Sequence, residues 1–336
     1  MQAATRLMTI AVLDGDETLW QETRATLEGQ TTDDWQSLII QNTPDRSAAA
    51  AEDAKTVVLR QAKRQSLSLC WKRAIRLALT RWEKQDLARC YVVFTRPGVL
   101  FGQESLKRFL DRLDREPALG MLGGTVCAAI QEQDADERRV YAFSNEILSA
   151  GQALNRFRRP VALLKGRDRK ELVSPMVWFA PAPHAFVVRA SLLASETLAP
   201  WLDDESRLPC SPDYLVALLT AMGAVSERLD DATVWWPASL PLARGKSALE
   251  QLQCRRTAES AMDHGMWRFR HSPWLLLRMF YGFFLALASP SQWSRVPHHW
   301  RQRFEAYRWH AKNRRHLISA AKRRSWYTPL AGSGKI

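Results

Sequence analysis

Acidic, amide and cationic side chains recur in this sequence where short apolar runs stop. Asp14, Asp16 and Glu17 follow Leu7 to Leu13, Gln41 and Asn42 follow Trp35 to Ile40, and Arg96 follows Tyr91 to Phe94. Carboxylates can read ribose hydroxyls, hold cations or accept protons, and amides can hydrogen-bond a base or a ribose. A guanidinium can meet phosphate oxygens through two parallel charge-assisted hydrogen bonds. Asp213, in Ser211-Pro212-Asp213-Tyr214, adds a further acid, and His184 ends the run Pro181-Ala182-Pro183-His184. Each has a plainer reading beside the chemical one. Acids at helix starts favour the helix dipole, Asp203-Asp204-Glu205 reads as a surface acidic turn, and a lone histidine can be structural. Gly123-Gly124 is too short for a phosphate loop, and no Gly-x-Gly-x-x-Gly or Walker pattern is present. The five cysteines are odd in number and widely spaced, so neither a zinc site nor a disulfide framework is indicated.

Elements that alternate in type must position these residues. Leu7 to Leu13 is apolar and partly β-branched, and Leu19, Thr23 and Leu27 then recur at helical spacing, which predicts strand, turn and helix over 7–29. Strands follow at Trp35 to Ile40 and Thr56 to Leu59, an amphipathic helix at Ser66 to Trp82, and a strand at Tyr91 to Phe94 that stops at Arg96-Pro97-Gly98. Such alternation predicts a mostly parallel sheet covered by helices on both faces. Ligands of open sheets of this kind bind beyond the carboxyl ends of the strands. Residues 14–17, 41–45 and 95–99 are therefore where binding is expected.

The charge balance narrows the partners. In 336 residues the formal net charge is +13, which calls for an anionic partner: nucleic acid, an anionic membrane face or a phosphorylated substrate. Beyond about Gly245 the alternation gives way to a basic, tryptophan-rich helical pattern, so a domain over 1–245 and a C-terminal extension over 246–336 are expected. Pro273 to Ala288 is apolar but shorter than the ~20 residues a membrane-spanning helix needs. Trp293, Trp300, Trp309 and Trp326, interleaved with arginines and lysines, suit a membrane surface, where each basic residue contributes about 1 kcal/mol. Stacking on single-stranded nucleic acid has the same composition, but no helix-turn-helix, zinc-finger or RNA-binding signature accompanies it. The N-terminus lacks the long apolar core of a secretory signal, so a cytoplasmic location is expected, peripheral at the inner face of the cell membrane.

Four stretches, read in order, resemble the family-2 glycosyltransferases of the GT-A type, most closely the bacterial rhamnosyltransferase-like members. They are Ile10 to Asn42 with Leu27-Glu28-Gly29-Gln30-Thr31, Tyr91 to Met121 with Pro117-Ala118-Leu119-Gly120-Met121, Ser149 to Pro160, and Ala185 to Trp236 with Val187-Val188-Arg189 and Asp231-Ala232-Thr233-Val234-Trp235. The resemblance implies a GT-A sheet and transfer of a sugar from a nucleotide-sugar to a glycan or lipid-linked acceptor in cell-surface polysaccharide synthesis. It also implies a Mg or Mn ion held by acids after the fourth strand, which would neutralise the diphosphate leaving group, and a carboxylate base near the acceptor. This sequence departs from that pattern. Gln41, followed by Asn42, stands where the family has a nucleoside-binding Asp, Arg96-Pro97-Gly98 replaces the metal-binding acids, and a late metal-binding histidine would fall near Trp236. The nucleotide-sugar site implied here therefore comprises Asp14, Asp16, Gln41, Asn42 and Arg96, with Asp213 as the remaining candidate base. Two readings stay open: metal-independent transfer in which Arg96 meets the diphosphate, and a non-catalytic GT-A-like scaffold or glycan-binding subunit.

Overall fold

A computed structural model of the chain describes residues 5–15, 17–43, 52–133, 139–154, 160–172, 180–203 and 210–237. The boundary expected near 245 and the extension over 246–336 lie outside these residues, as does Asp16. In chain order the elements are β1 (Leu7–Leu13), α1 (Glu17–Glu28), β2 (Trp35–Gln41), β3 (Thr56–Arg60), α2 (Leu67–Arg81), β4 (Tyr91–Thr95), β5 (Leu100–Phe101) and α3 (Ser105–Arg115). There follow β6 (Leu119–Gln133), β7 (Arg139–Ser149), β8 (Gln152–Leu154), β9 (Pro160–Ala162), β10 (Ala185–Arg189), α4 (Ala190–Leu193), α5 (Ala199–Leu202), α6 (Pro212–Ala221) and β11 (Val225–Pro237). The strands and helices expected up to residue 95 stand within one or two residues of their predicted ends. The fold is the mostly parallel α/β sheet that the alternation predicts.

One sheet runs in the order β3-β2-β1-β4-β10-β6-β11-β5, with β7 paired to β6 outside that path. The neighbours β3, β2, β1 and β4 are mutually parallel, and so are β6 and β11. Between these two groups β10 is antiparallel to both β4 and β6. Its first residue, not its last, therefore lies at the edge where β1, β2 and β4 end.

The buried alternation of β1 explains why both faces need covering. Met8, Ile10 and Val12 pack with α2, α4, α5 and α6 in one core, which includes Trp71, Trp82, Trp201 and Tyr214. Leu7, Ala11 and Leu13 belong to the other core, with Trp20 and Leu27 of α1 and Leu106, Phe109 and Leu113 of α3. A strand buried on both faces reads as a continuous apolar run, as Leu7–Leu13 does.

Two glycines fix where β6 meets its neighbours. At Gly124 a Cβ would run into the Ala232 carbonyl, and at Gly120 it would lie 2.5 Å from Leu192 Cδ1. The β6–β11 register shifts beside Gly124, between Leu229 and Thr233, so backbone crowding and irregular pairing coincide there. The pair Gly123-Gly124 thus serves the sheet.

Candidate functional site

The side chains that the sequence singles out gather in two groups along the carboxyl-terminal edge of the parallel strands. The first lies at the ends of β1 and β2. Asp14 directly follows β1, and its Oδ1 accepts a hydrogen bond from Asn42 Nδ2 at 3.2 Å. Its Oδ2 accepts from Arg64 Nη2 at 2.5 Å. Asn42 is fully buried. Its Nδ2 also donates to the Gln65 carbonyl at 3.1 Å, and its Oδ1 accepts from the Gln65 N–H at 2.8 Å. Both N–H donors and one acceptor position of that amide group are therefore used within the chain, and the knot ties the ends of β1 and β2 to the segment that leads into α2. Gln41, also buried, donates through Nε2 to Glu17 Oε1 at 3.5 Å, and the same oxygen accepts from Thr43 Oγ1 at 2.5 Å. The guanidinium of Arg64, on a half-exposed side chain, brings a positive charge to this edge beside the carboxylate of Asp14.

The second group lies at the end of β4. Arg96, one residue beyond that strand, is buried, and its Nη2 donates to Asp213 Oδ2 at 2.7 Å. Its Nε donates to the Pro183 carbonyl at 3.3 Å, which anchors the guanidinium beside the turn that leads into β10. Asp213 belongs to the first turn of α6, whose N-cap Ser211 accepts from the Tyr214 N–H and whose first helical residue is Pro212. A carboxylate in that position gains from the helix dipole as well as from the guanidinium. Thus the residue expected near a diphosphate and the residue expected as a base are 117 positions apart in sequence and in direct contact in the fold.

His184 completes this group and was not among the residues assigned to the site from sequence. The antiparallel register pairs Ala185 with Thr95 and so sets His184 opposite Arg96. Its ring meets that of Trp236 edge-on, with centroids 5.5 Å apart. Its Nδ1 is buried with no hydrogen-bond partner. Burial, with a smaller contribution from the charge of Arg96, pushes the imidazole pKa down to about 3, so the ring is neutral at ordinary pH. The family's late metal-binding histidine would fall near Trp236, where this sequence has none, and His184 meets Trp236 from the turn ahead of β10. The signal in sequence was the turn Pro181-Ala182-Pro183-His184 directly ahead of an apolar strand, but only the pairing of β10 with β4 gives it an address.

A divalent cation does not fit this donor set. Among the described residues no group of three or more His, Cys, Asp or Glu side chains converges. The carboxylate nearest the end of β4 is already paired with a buried guanidinium, which repels a second cation. The group can instead present a fixed positive charge, a carboxylate that neutralises it, and a neutral imidazole with an unused nitrogen.

No family model matches the chain, and no curated protein matches it. Among solved structures it is similar to a mannosyltransferase from Pyrobaculum calidifontis in complex with GDP-Man and Mn2+, at 12% identity over 98% of this chain and 89% of that one, with a TM-score of 0.43. It is also similar to S. aureus TarS 1-349 in complex with UDP, at 12% identity over 98% and 95% of the two chains, with a TM-score of 0.44. At these values the likeness carries neither activity nor site residues to this chain.

Proposed function

We propose that the protein is a glycosyltransferase that moves a sugar from a nucleotide-sugar donor to a glycan or lipid-linked acceptor in cell-surface polysaccharide synthesis. The observation that carries the reading is the meeting of Arg96, Asp213 and His184 at the end of β4, at the sheet edge where open α/β folds take their ligands. In this reading the acceptor hydroxyl oxygen attacks the anomeric carbon while the bond from that carbon to the diphosphate oxygen breaks. Asp213 takes the hydroxyl proton, and Arg96 balances the charge that develops on the leaving diphosphate. Gln41 and Asn42, at the end of β2, together with Asp14 after β1, flank the nucleoside end of the donor, to which the sequence resemblance also assigns Asp16. Of these, Asn42 donates to a ligand only by exchanging a hydrogen bond it now makes within the chain. The basic, tryptophan-rich stretch 246–336 would hold the enzyme at the anionic inner face of the membrane, next to a lipid-linked acceptor.

The second reading is a GT-A-like scaffold or glycan-binding subunit without activity. It is favoured by the mutual neutralisation of Arg96 and Asp213. Calorimetric titration with a panel of nucleoside diphosphates and nucleotide-sugars, with and without Mg or Mn at fixed salt, separates the two. Metal-independent binding followed by release of nucleoside diphosphate in the presence of acceptor supports transfer. Failure of every nucleotide to bind, while anionic vesicles do, leaves the scaffold.

A further inference from the structure

The ion pair at the end of β4 has an unusual composition for a ligand site, because its positive charge and its counter-charge both come from the chain. Arg96 is held by the Pro183 carbonyl as well as by Asp213, and its side chain is only 7% exposed. Asp213 is more open, at 20%, and sits on a helical first turn. The two partners are therefore unequal: the guanidinium is buried and held by the Pro183 carbonyl as well, whereas the carboxylate has a solvent-facing side toward which it can turn. Beside them His184 offers a neutral ring with an unpartnered nitrogen, which adds hydrogen-bonding capacity to the group without adding charge. A diphosphate offers a guanidinium the same oxygen geometry as a carboxylate does, with more charge.

We propose that Arg96 and Asp213 form a displaceable pair in a metal-free diphosphate site: an incoming diphosphate takes the guanidinium over from Asp213, and the released carboxylate then becomes available to an acceptor hydroxyl. The exchange of one anion for another stands on the geometry alone, and the use of the freed carboxylate as a base rests on the transferase reading. The order has a chemical purpose. While the donor is absent, Asp213 Oδ2 is occupied by Arg96, so base and leaving-group anchor come into play together.

The test is calorimetric titration of the full chain with inorganic pyrophosphate and with uridine diphosphate, in chelator and at fixed salt. Wild type is compared with Asp213→Asn and Arg96→Gln, each checked for a cooperative thermal melt. Removing the internal competitor is expected to tighten pyrophosphate binding about tenfold in Asp213→Asn, the scale of one charge-assisted hydrogen bond, and Arg96→Gln is expected to lose it. Unchanged or weaker binding by a folded Asp213→Asn overturns the proposal. Should that variant fail to fold, carbodiimide labelling of Asp213 in the wild type decides the matter. Labelling that rises with pyrophosphate supports release of the carboxylate, and labelling that stays level or falls refutes it. Pyrophosphate exchange without turnover of any nucleotide-sugar would retain the displaceable pair and remove the transferase reading. Turnover that needs Mg or Mn, with no tightening in Asp213→Asn, would do the reverse.

Discussion

Lowering the pH from 7 to 5 should destabilise the protein through His184 in particular. In the fold, burial and the neighbouring Arg96 keep its imidazole neutral down to about pH 3, whereas in the unfolded chain it takes a proton near 6.5. The folded pKa lies below the unfolded one, so the unfolded state binds more protons between those values and stability is lost as the pH falls. The contribution is complete above about pH 7 and declines by about 1.4 kcal/mol per pH unit once the unfolded histidine is mostly protonated. Between pH 7 and pH 5 this integrates to a loss of about 2 kcal/mol from this one group. Urea titrations of wild type and His184→Leu at both pH values isolate it, because other titrating groups contribute to both proteins. The wild type should lose about 2 kcal/mol more than the variant over that interval. Parallel losses would mean that His184 is solvated or protonated in the folded protein, and the description of a neutral ring beside Arg96 would be wrong.

Other perturbations probe the frame around the site. Gly124→Ala should cost about 1–3 kcal/mol in a urea melt, because its methyl group meets the Ala232 carbonyl where β6 and β11 shift register. Asn42→Ala leaves the Gln65 N–H and one oxygen of Asp14 without their side-chain partner, so a loss of about 1–3 kcal/mol and faster amide exchange around Gln65 are expected. Ser211→Ala removes the cap of α6, with an expected cost of about 1 kcal/mol in the same melt. If transfer is observed, Asp213→Asn should lower kcat by about 10²–10⁴ in a nucleoside-diphosphate release assay.

The elements up to residue 95 were legible because their cores are written locally. The runs Leu7–Leu13 and Tyr91–Thr95 are buried on both faces and so are apolar apart from Thr9 and Thr95, and α2 carries its apolar stripe in one stretch of sequence. The reach of β6 was harder to read. Its fifteen residues include Gly120, Gly123 and Gly124, which weaken a strand pattern but here admit close neighbours that belong to distant segments. The site followed the same division. That Asp14, Gln41, Asn42 and Arg96 lie at strand ends was readable from where apolar runs stop. Their partners were not, because Arg64 and Gln65 reach the edge from the approach to α2, and Asp213 reaches Arg96 only once α6 has docked on the sheet. A side chain that looks available in sequence is thus spoken for by a residue whose proximity depends on the whole topology.

The carboxylate held against Arg96 has a consequence for selectivity. A tethered competitor acts at an effective concentration of about millimolar even when the tether is flexible, and here it is held 2.7 Å from its target. Chloride and other singly charged solutes must displace a rival of equal charge that never diffuses away. A chain with a net charge of +13 attracts small anions, and in the proposed diphosphate site this arrangement would keep them from settling at Arg96. In the proposed site only a ligand that brings two adjoining charges, or additional contacts along the sheet edge, would outcompete the resident carboxylate. Such selectivity would arise from the pairing the chain already makes.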